Sequence, residues 1–208
     1  MIMIHSDNMG LVLPPKVAQV QVAIVPIINK DDDIEAMKGK AHDLAAELKQ
    51  SGLRVYVDDS EVHNPGFKFN YWELRGSPIR LELGVKDFEK EEVKVVVRYS
   101  GEKFQASWTG LAAGMVDQME KIQAGMYNKA KQSREDHISH VKNWEDFMTA
   151  LAKRDVCLAP WCDTVACEVV VKDRSKEESI AAMAEANEGE AQLTGSAKTL
   201  CIPFELGK

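Results

Sequence analysis

Between Asn64 and Asp87 the 208-residue chain gathers side chains suited to reading a nucleic-acid base. A base edge is recognised through paired hydrogen bonds. A carboxylate accepts from both N–H groups on guanine's Watson–Crick edge, and a guanidinium donates to guanine's O6 and N7. An unstacked RNA base also needs an aromatic plane to lie against. Glu73 and Arg80 supply the carboxylate and the guanidinium, Phe69 supplies the plane, and Lys86 and Lys103 supply positive charge for phosphates or bases. The same residue types also allow a plainer arrangement, a Glu73–Arg80 surface pair with Phe69 in the core, and the residues by themselves leave both open.

Other reactive side chains are sparse. The chain has no glycine-rich phosphate loop, no His-Glu-x-x-His and no nucleophile elbow. His137 and His140 are three apart and would share a helical face, but no third ligand stands near them, so they read as surface histidines. Cys162 and Cys167, five apart and close to Pro160, form half of the four-ligand set zinc prefers, and the other half is missing. Cys157 and Cys201 sit singly in apolar runs, where buried thiols are common. The four cysteines therefore read as reduced thiols, with zinc at Cys162 and Cys167 the less favoured reading. Nothing assembles a catalytic set, which points to a binding module.

These residues need a scaffold, and the hydrophobic periodicity describes one. Residues 20–28 (VQVAIVPII) form a nearly continuous β-branched run, the pattern of a strand buried on both faces, bending or ending at Pro26. Asp31–Asp33 offer cap chemistry for a helix whose stripe is Met37, Ala41, Leu44, Ala45 and Leu48, closed by Gly52. Leu53–Val57 alternates as a strand. Asn64 and Pro65 open a second helix that Gly76 ends, with Phe67, Tyr71 and Leu74 as its apolar stripe and Phe69 and Glu73 on another face. Ile79–Val85 is an alternating strand with Ile79, Leu81 and Leu83 on one face and Arg80 and Glu82 on the other. Val93–Tyr99 and Lys103–Ala106 form a hairpin through Ser100 and Gly101. A long helix over Leu111–Lys131 carries Met115, Met119, Ile122 and Met126, and a shorter one spans Asn143–Lys153. The remainder predicts strands at Val156–Leu158, Glu168–Val171 and Thr199–Phe204, a helix over Lys176–Ala186 and a loop over Asn187–Ser196. At the start, Met1–Ile4 reads as a strand without a partner nearby.

Composition excludes several classes. At 45% hydrophobic and 28% charged residues the chain is that of an ordinary folded protein and not a disordered tail. No apolar run approaches the ~20 residues of a membrane helix, and no secretory signal opens the chain, so the expected setting is the reducing cytoplasm with no membrane partner. A net charge of −7 gives no global field for nucleic acid, so such binding must be local. The charge is segregated: residues 119–154 hold seven bases and five acids, and from Asp155 onward there are ten acids and five bases.

The order of residues 64–87 (NPGFKFNYWELRGSPIRLELGVKD) closely resembles the anticodon-binding domain of prolyl-tRNA synthetases of the eukaryote/archaeal type. Residues 3–15 (MIHSDNMGLVLPP) look like the end of that family's catalytic domain, and residues 197–204 (AKTLCIPF) resemble its C-terminal domain, so the likeness covers essentially the whole chain. The resemblance implies an α/β fold: a mixed, mostly five-stranded sheet flanked by three helices, then a small, truncated α+β C-terminal domain. It divides the chain into residues 1–15 (tail of the catalytic domain), 16–135 (anticodon-binding) and 136–208 (C-terminal). It further implies that Phe69, Glu73, Arg80, Lys86, Asp87 and Lys103 read the two guanines shared by proline anticodons, Phe69 by stacking, Glu73 and Arg80 at base edges, and the lysines at phosphates or bases. The expected partner is tRNA(Pro). The motifs for ATP and proline are absent, so the ATP and Mg of the full-length ligase, and most of its homodimer contact, would lie outside this chain, which would not activate proline alone. The family's second cysteine pair for zinc is also absent. A reading of another class is a free-standing interaction or regulatory module derived from a synthetase.

Overall fold

The computed structural model describes residues 2–28, 34–185 and 196–204. The chain divides into two compact units, residues 1–129 and 130–208. The expected helix start at Asp31–Asp33 and most of the expected loop at Asn187–Ser196 lie outside the described residues.

The first unit opens with a small antiparallel hairpin of β1 (Ser6–Asp7) and β2 (Gly10–Leu11). Residues 2–4, predicted as a strand, are instead exposed turns, because no neighbouring strand is there to pair with them. The body of the unit is a five-stranded mixed sheet. Its strands are β3 (Val22–Pro26), β4 (Val55–Val57), β5 (Ile79–Leu83), β6 (Glu92–Val97) and β7 (Lys103–Ser107), in the order β4-β3-β5-β6-β7. β3 runs parallel to both β4 and β5, and β5, β6 and β7 alternate antiparallel. Helix α1 (Ile34–Gln50) links β3 to β4, α2 (Pro65–Leu74) links β4 to β5, and α4 (Leu111–Asp136) follows β7. The predicted end of the third strand is a separate short helix, α3 (Val85–Glu89), begun where Gly84 donates its N–H to Asp87 Oδ2 at 3.2 Å.

Alternation along the strands sorts side chains between two faces. On one face Val22, Ile24, Ile79, Leu81, Leu83, Val93, Val95 and Val97 meet Ala41, Leu44, Ala45 and Leu48 of α1 and Leu111, Met115, Met119 and Ile122 of α4 in a single core. Burying a side chain of this size contributes about 1.5–3 kcal/mol. On the opposite face Ala23 and Val25 pack with Trp72 and Phe69 of α2.

Helix α2 turns differently from its predicted stripe. Phe67, Tyr71 and Leu74 face solvent, and Lys68 and Trp72 face inward. The reason is Asp58, whose backbone oxygen accepts from Lys68 Nζ at 2.8 Å and whose carboxylate accepts from Trp72 Nε1 at 2.9 Å. A satisfied ammonium can be buried where an unpaired one cannot. The outward residues stack on one another, with His63 and Phe67 ring centroids 4.0 Å apart and Arg75 over Tyr71 at 4.6 Å.

In the second unit β8 (Ile138–His140) and β9 (Val156–Leu158) pair in parallel, connected through α5 (Trp144–Ala152), whose cap Asn143 accepts from Asp146 N at 2.8 Å. Then comes α6 (Val165–Glu185), a single helix where a strand at Glu168–Val171 and a later helix were predicted. Val169 and Val170 are exposed, so the valine run that suggested a strand has no sheet to enter. Residues 196–204, predicted to hold a strand, form none; Thr199 Oγ1 donates to Glu168 Oε1 at 2.5 Å and Ala197 N to the fully buried Ser175 Oγ at 2.9 Å. His137 and His140 do not share a helical face: His137 follows α4 with Nδ1 2.7 Å from Ser133 O, and His140 ends β8.

Candidate nucleic-acid interface

On the face away from the main core, the cross-strand register lays the polar residues in two rows. Arg80 of β5 stands beside Val96 of β6 and Lys103 of β7; Glu82 stands beside Lys94 and Gln105. Helix α2 lies over β3 at one side of this face, and at β7 every residue on it is exposed. A cleft of about 370 Å³ opens here, lined by Trp72, Glu73, Ser77, Arg80, Val96–Gly101 and Lys103, with Asp7 and Met9 of the hairpin on its rim.

Arg80 lines the cleft and is 7% exposed. Its Nε and Nη2 donate to Glu82 Oε1 at 3.1 and 2.9 Å, and its Nη1 donates to Glu73 Oε1 at 3.1 Å and to Phe69 O at 3.2 Å. The guanidinium also lies 4.5 Å from the centre of the Phe69 ring, a cation–π contact. Glu82, 5% exposed, passes the charge on through Oε2 to Lys94 Nζ at 3.2 Å. Two acids and two bases thus form one neutral network, the form in which charges tolerate burial. Among the described residues, four of Arg80's five N–H groups are taken, leaving one on Nη2. The free bidentate guanidinium that the residue types suggest is therefore not standing ready. Glu73 is about a quarter exposed, and its Oε2 has no partner among the described residues.

Glu73, Arg80 and Lys103 thus share one cleft, with Phe69 stacked against Arg80 behind it. Lys86 and Asp87 do not line it. Both stand on α3, where Asp87 caps Gly84 and accepts from Gln105 Nε2 at 3.2 Å, tying α3 to the polar face of β7; Lys86 is exposed. The plainer arrangement is present in part, since the Glu73–Arg80 pair exists, but it is recessed in a cleft and Phe69 is only half-buried.

Sequence reasoning missed two cleft residues. Arg98, the residue just after β6, donates through Nη1 and Nη2 to both oxygens of Asp7, at 2.9 and 2.6 Å, and through Nε to the backbone oxygen of Glu73 at 3.3 Å. The Arg98 bonds and the Met9 N–H hold the Asp7 carboxyl down at about 2. These partners are 91 residues apart, and no spacing rule connects them.

In the second unit, the exposed Cys162 thiol lies 3.3 Å from Thr164 Oγ1; hydrogen bonds from that hydroxyl and from the Cys167 thiol lower its pKa. Among the described residues no third histidine, cysteine or carboxylate joins the pair. Two sulfurs do not make the four-ligand site that structural zinc requires, so the described residues do not fit the metal.

Comparison with known proteins defines the class first. Residues 21–118 match the family model described as an anticodon binding domain, which covers the five-stranded sheet and every cleft residue except Asp7 and Met9 of the hairpin. Residues 144–208 match the model of the prolyl-tRNA synthetase C-terminal domain. The chain is 40% identical over 206 residues to a proline–tRNA ligase of Encephalitozoon cuniculi, covering 97% of this chain and 40% of that protein. It is 40% identical over 205 residues to the cytoplasmic proline–tRNA ligase of Arabidopsis thaliana, covering 99% of this chain and 36% of that one. A crystal structure of the Cryptosporidium parvum prolyl-tRNA synthetase with halofuginone and AMPPNP superposes with a TM-score of 0.86 at 38% identity, over 98% of this chain and 38% of that one. The chain belongs to the prolyl-tRNA synthetase family, as an anticodon-binding domain followed by the family's C-terminal domain. It spans about two fifths of the length of these relatives. Nothing in the matches supports a free-standing regulatory module.

Proposed function

We propose that this chain recognises the anticodon of tRNA(Pro) and serves a proline–tRNA ligase as its RNA-reading part. The observation that carries the reading is the Glu73–Arg80 pair lining an open cleft that Lys103 also lines, with one carboxylate oxygen unpartnered among the described residues. A guanine entering the cleft offers two N–H donors to a carboxylate. Glu73 can meet one with its unpartnered Oε2 and the other with the second lone pair of Oε1. If the carboxylate instead turns away from Arg80 as the base enters, an Nη1 hydrogen is freed and Arg80 then has two N–H groups for a guanine O6 and N7. Glu82 and Lys94 hold the guanidinium in place while this happens. Phe69 supports the guanidinium plane, and Lys103 meets phosphate or base. Lys86 and Asp87 would contact the loop from α3, on the support of the family resemblance.

Within a whole ligase this contact would select tRNA(Pro) for ATP-dependent prolylation. ATP, Mg and the homodimer contact are assigned to the rest of such a ligase by the family resemblance. A cytoplasmic setting is supported by the cytoplasmic Arabidopsis relative, and no described helix is long and apolar enough to cross a membrane.

The test is binding of anticodon stem-loop RNA carrying the two guanines, and of the same RNA with either guanine replaced by adenine. The intact pair should bind tighter by about 1–3 kcal/mol at each replaced position, the scale of one bidentate base contact, and Arg80→Ala should abolish the difference at one of them. Equal affinity for all three RNAs would sink the proposal.

A further inference from the structure

We infer that the N-terminal hairpin is one wall of the reading cleft, and that Arg98, latched by Asp7, is a positioning residue that sets where Glu73 presents its carboxylate. This rests on the reading of the cleft as the anticodon site.

Three observations converge on it. The Arg98 side chain is 8% exposed and grips Asp7 through both terminal nitrogens, a forked geometry that holds direction as well as charge. Its third nitrogen, Nε, reaches the backbone oxygen of Glu73, the same oxygen that accepts the Gly76 N–H at 3.0 Å as α2 ends. Finally, the hairpin presses on that end of the helix backbone to backbone. A Cβ at Gly10 would fall 2.5 Å from the Leu74 Cα, and one at Gly76 would fall 2.7 Å from the Leu11 Cβ; both glycines also have positive φ, +126° and +72°. The hairpin therefore cannot shift without either breaking the fork or moving the last turn of α2, which carries Glu73.

Asp7 is itself held from behind. Its Oδ1 accepts the Met9 N–H at 2.8 Å, and the hairpin is closed by Val12 N donating to His5 O at 2.8 Å. The chain from hairpin to base is short: Asp7 carboxylate, Arg98 guanidinium, Glu73 carbonyl, Glu73 carboxylate. The segment read in sequence as the tail of a preceding domain thus contributes to base discrimination.

Asp7→Asn keeps the shape and removes the charge; Arg98→Lys keeps the charge and removes the fork. Each is assayed against stem-loop RNA with both guanines and with either one replaced, beside a thermal melt. Each variant should lose roughly tenfold in the ratio between cognate and replaced RNA, the low end for one bidentate contact. Affinity for the replaced RNAs should stay put, and the double variant should lose no more than either single one, because both remove the same latch. Asp7→Glu should restore most of the ratio. A ratio unchanged in folded Asp7→Asn overturns the inference, as does a uniform loss across all three RNAs, which is what general loosening would give. If Arg98→Lys fails to fold, the half-exposed Asp7 carries the same test. A parent chain that does not discriminate overturns the underlying reading, and that outcome is visible before any variant is made.

Discussion

The two faces of the five-stranded sheet are built from the same strands, and they do opposite things. Along β5, Ile79, Leu81 and Leu83 point into a core with no exposure at all, and Arg80 and Glu82, one residue away on either side of Leu81, point to a face that is only partly covered. The covered face is closed by two helices and carries the stability. The other has a helix over β3 and bare strand at β7, and it carries charge arranged in register. What this difference teaches is that the proposed reading face is paid for by the opposite side of its own sheet. A neutral four-member charge network contributes little net stability once its desolvation is counted, so it must be held by something that does contribute.

The largest expected effect follows directly. Leu81→Ala should cost about 2–5 kcal/mol in urea unfolding, the range for emptying a packed core position, with the RNA discrimination ratio unchanged wherever the variant is folded. Arg80→Met combined with Glu82→Leu should do the reverse. Replacing buried partners together by apolar groups is neutral or stabilising, so unfolding should hold or improve, and the preference for cognate RNA, about 1–3 kcal/mol at one guanine, should vanish. Should the double variant unfold as readily as Leu81→Ala, the polar face is structural and the contrast between the faces fails.

How far this contrast was legible depended on whether the answer was local. The alternation from Ile79 to Leu83 displays both faces of β5 directly, and the α1 stripe from Met37 to Leu48 is buried as its spacing predicts. The α2 stripe was misread because periodicity treats lysine as polar and therefore outward; the carboxylate and carbonyl of Asp58, which make Lys68 a core residue, lie ten positions away on another element. At Glu168–Val171 a β-branched run outvoted helix signals that a longer window holds, including the Arg174–Glu178 pair at helical spacing. In the cleft, Glu73, Arg80 and Lys103 were legible by type and resemblance. Their state was not: that Arg80 is occupied by two carboxylates depends on how β5 and α2 pack. Asp7 and Arg98 left no signal at all, because only the fold brings them together.

Acid should dissect the hairpin latch by a smaller margin. Asp7 has a folded pKa depressed to about 2 by Arg98. A carboxyl with a lowered folded pKa contributes stability that is present above its unfolded value, near 3.9, and lost as pH falls through the folded one. The stability difference between the parent chain and Asp7→Asn should therefore be constant above about pH 5, shrink between about pH 4 and 2, and close below that. Because Asp7 is half-exposed, added salt should shrink it too. If the two chains unfold alike above pH 5, the hairpin is held by its glycine contacts alone and the fork is incidental; a difference undiminished at pH 2 would mean that the carboxylate's charge is not what Asp7 contributes.

The smallest effect belongs to the most exposed member of the polar face. The Lys103 side chain has no hydrogen-bond or ion-pair partner among the described residues and lies at the far end of the Arg80 row, on a strand with solvent on that side. Lys103→Ala should change stability by less than about 0.5 kcal/mol. If the lysine meets phosphate, affinity should fall by a similar factor for cognate and replaced RNA, and the slope of log affinity against log salt should flatten by about one. A selective loss for one guanine, with the salt slope intact, would instead place Lys103 at a base edge, and the row from Arg80 to Lys103 would then be a continuous reading surface.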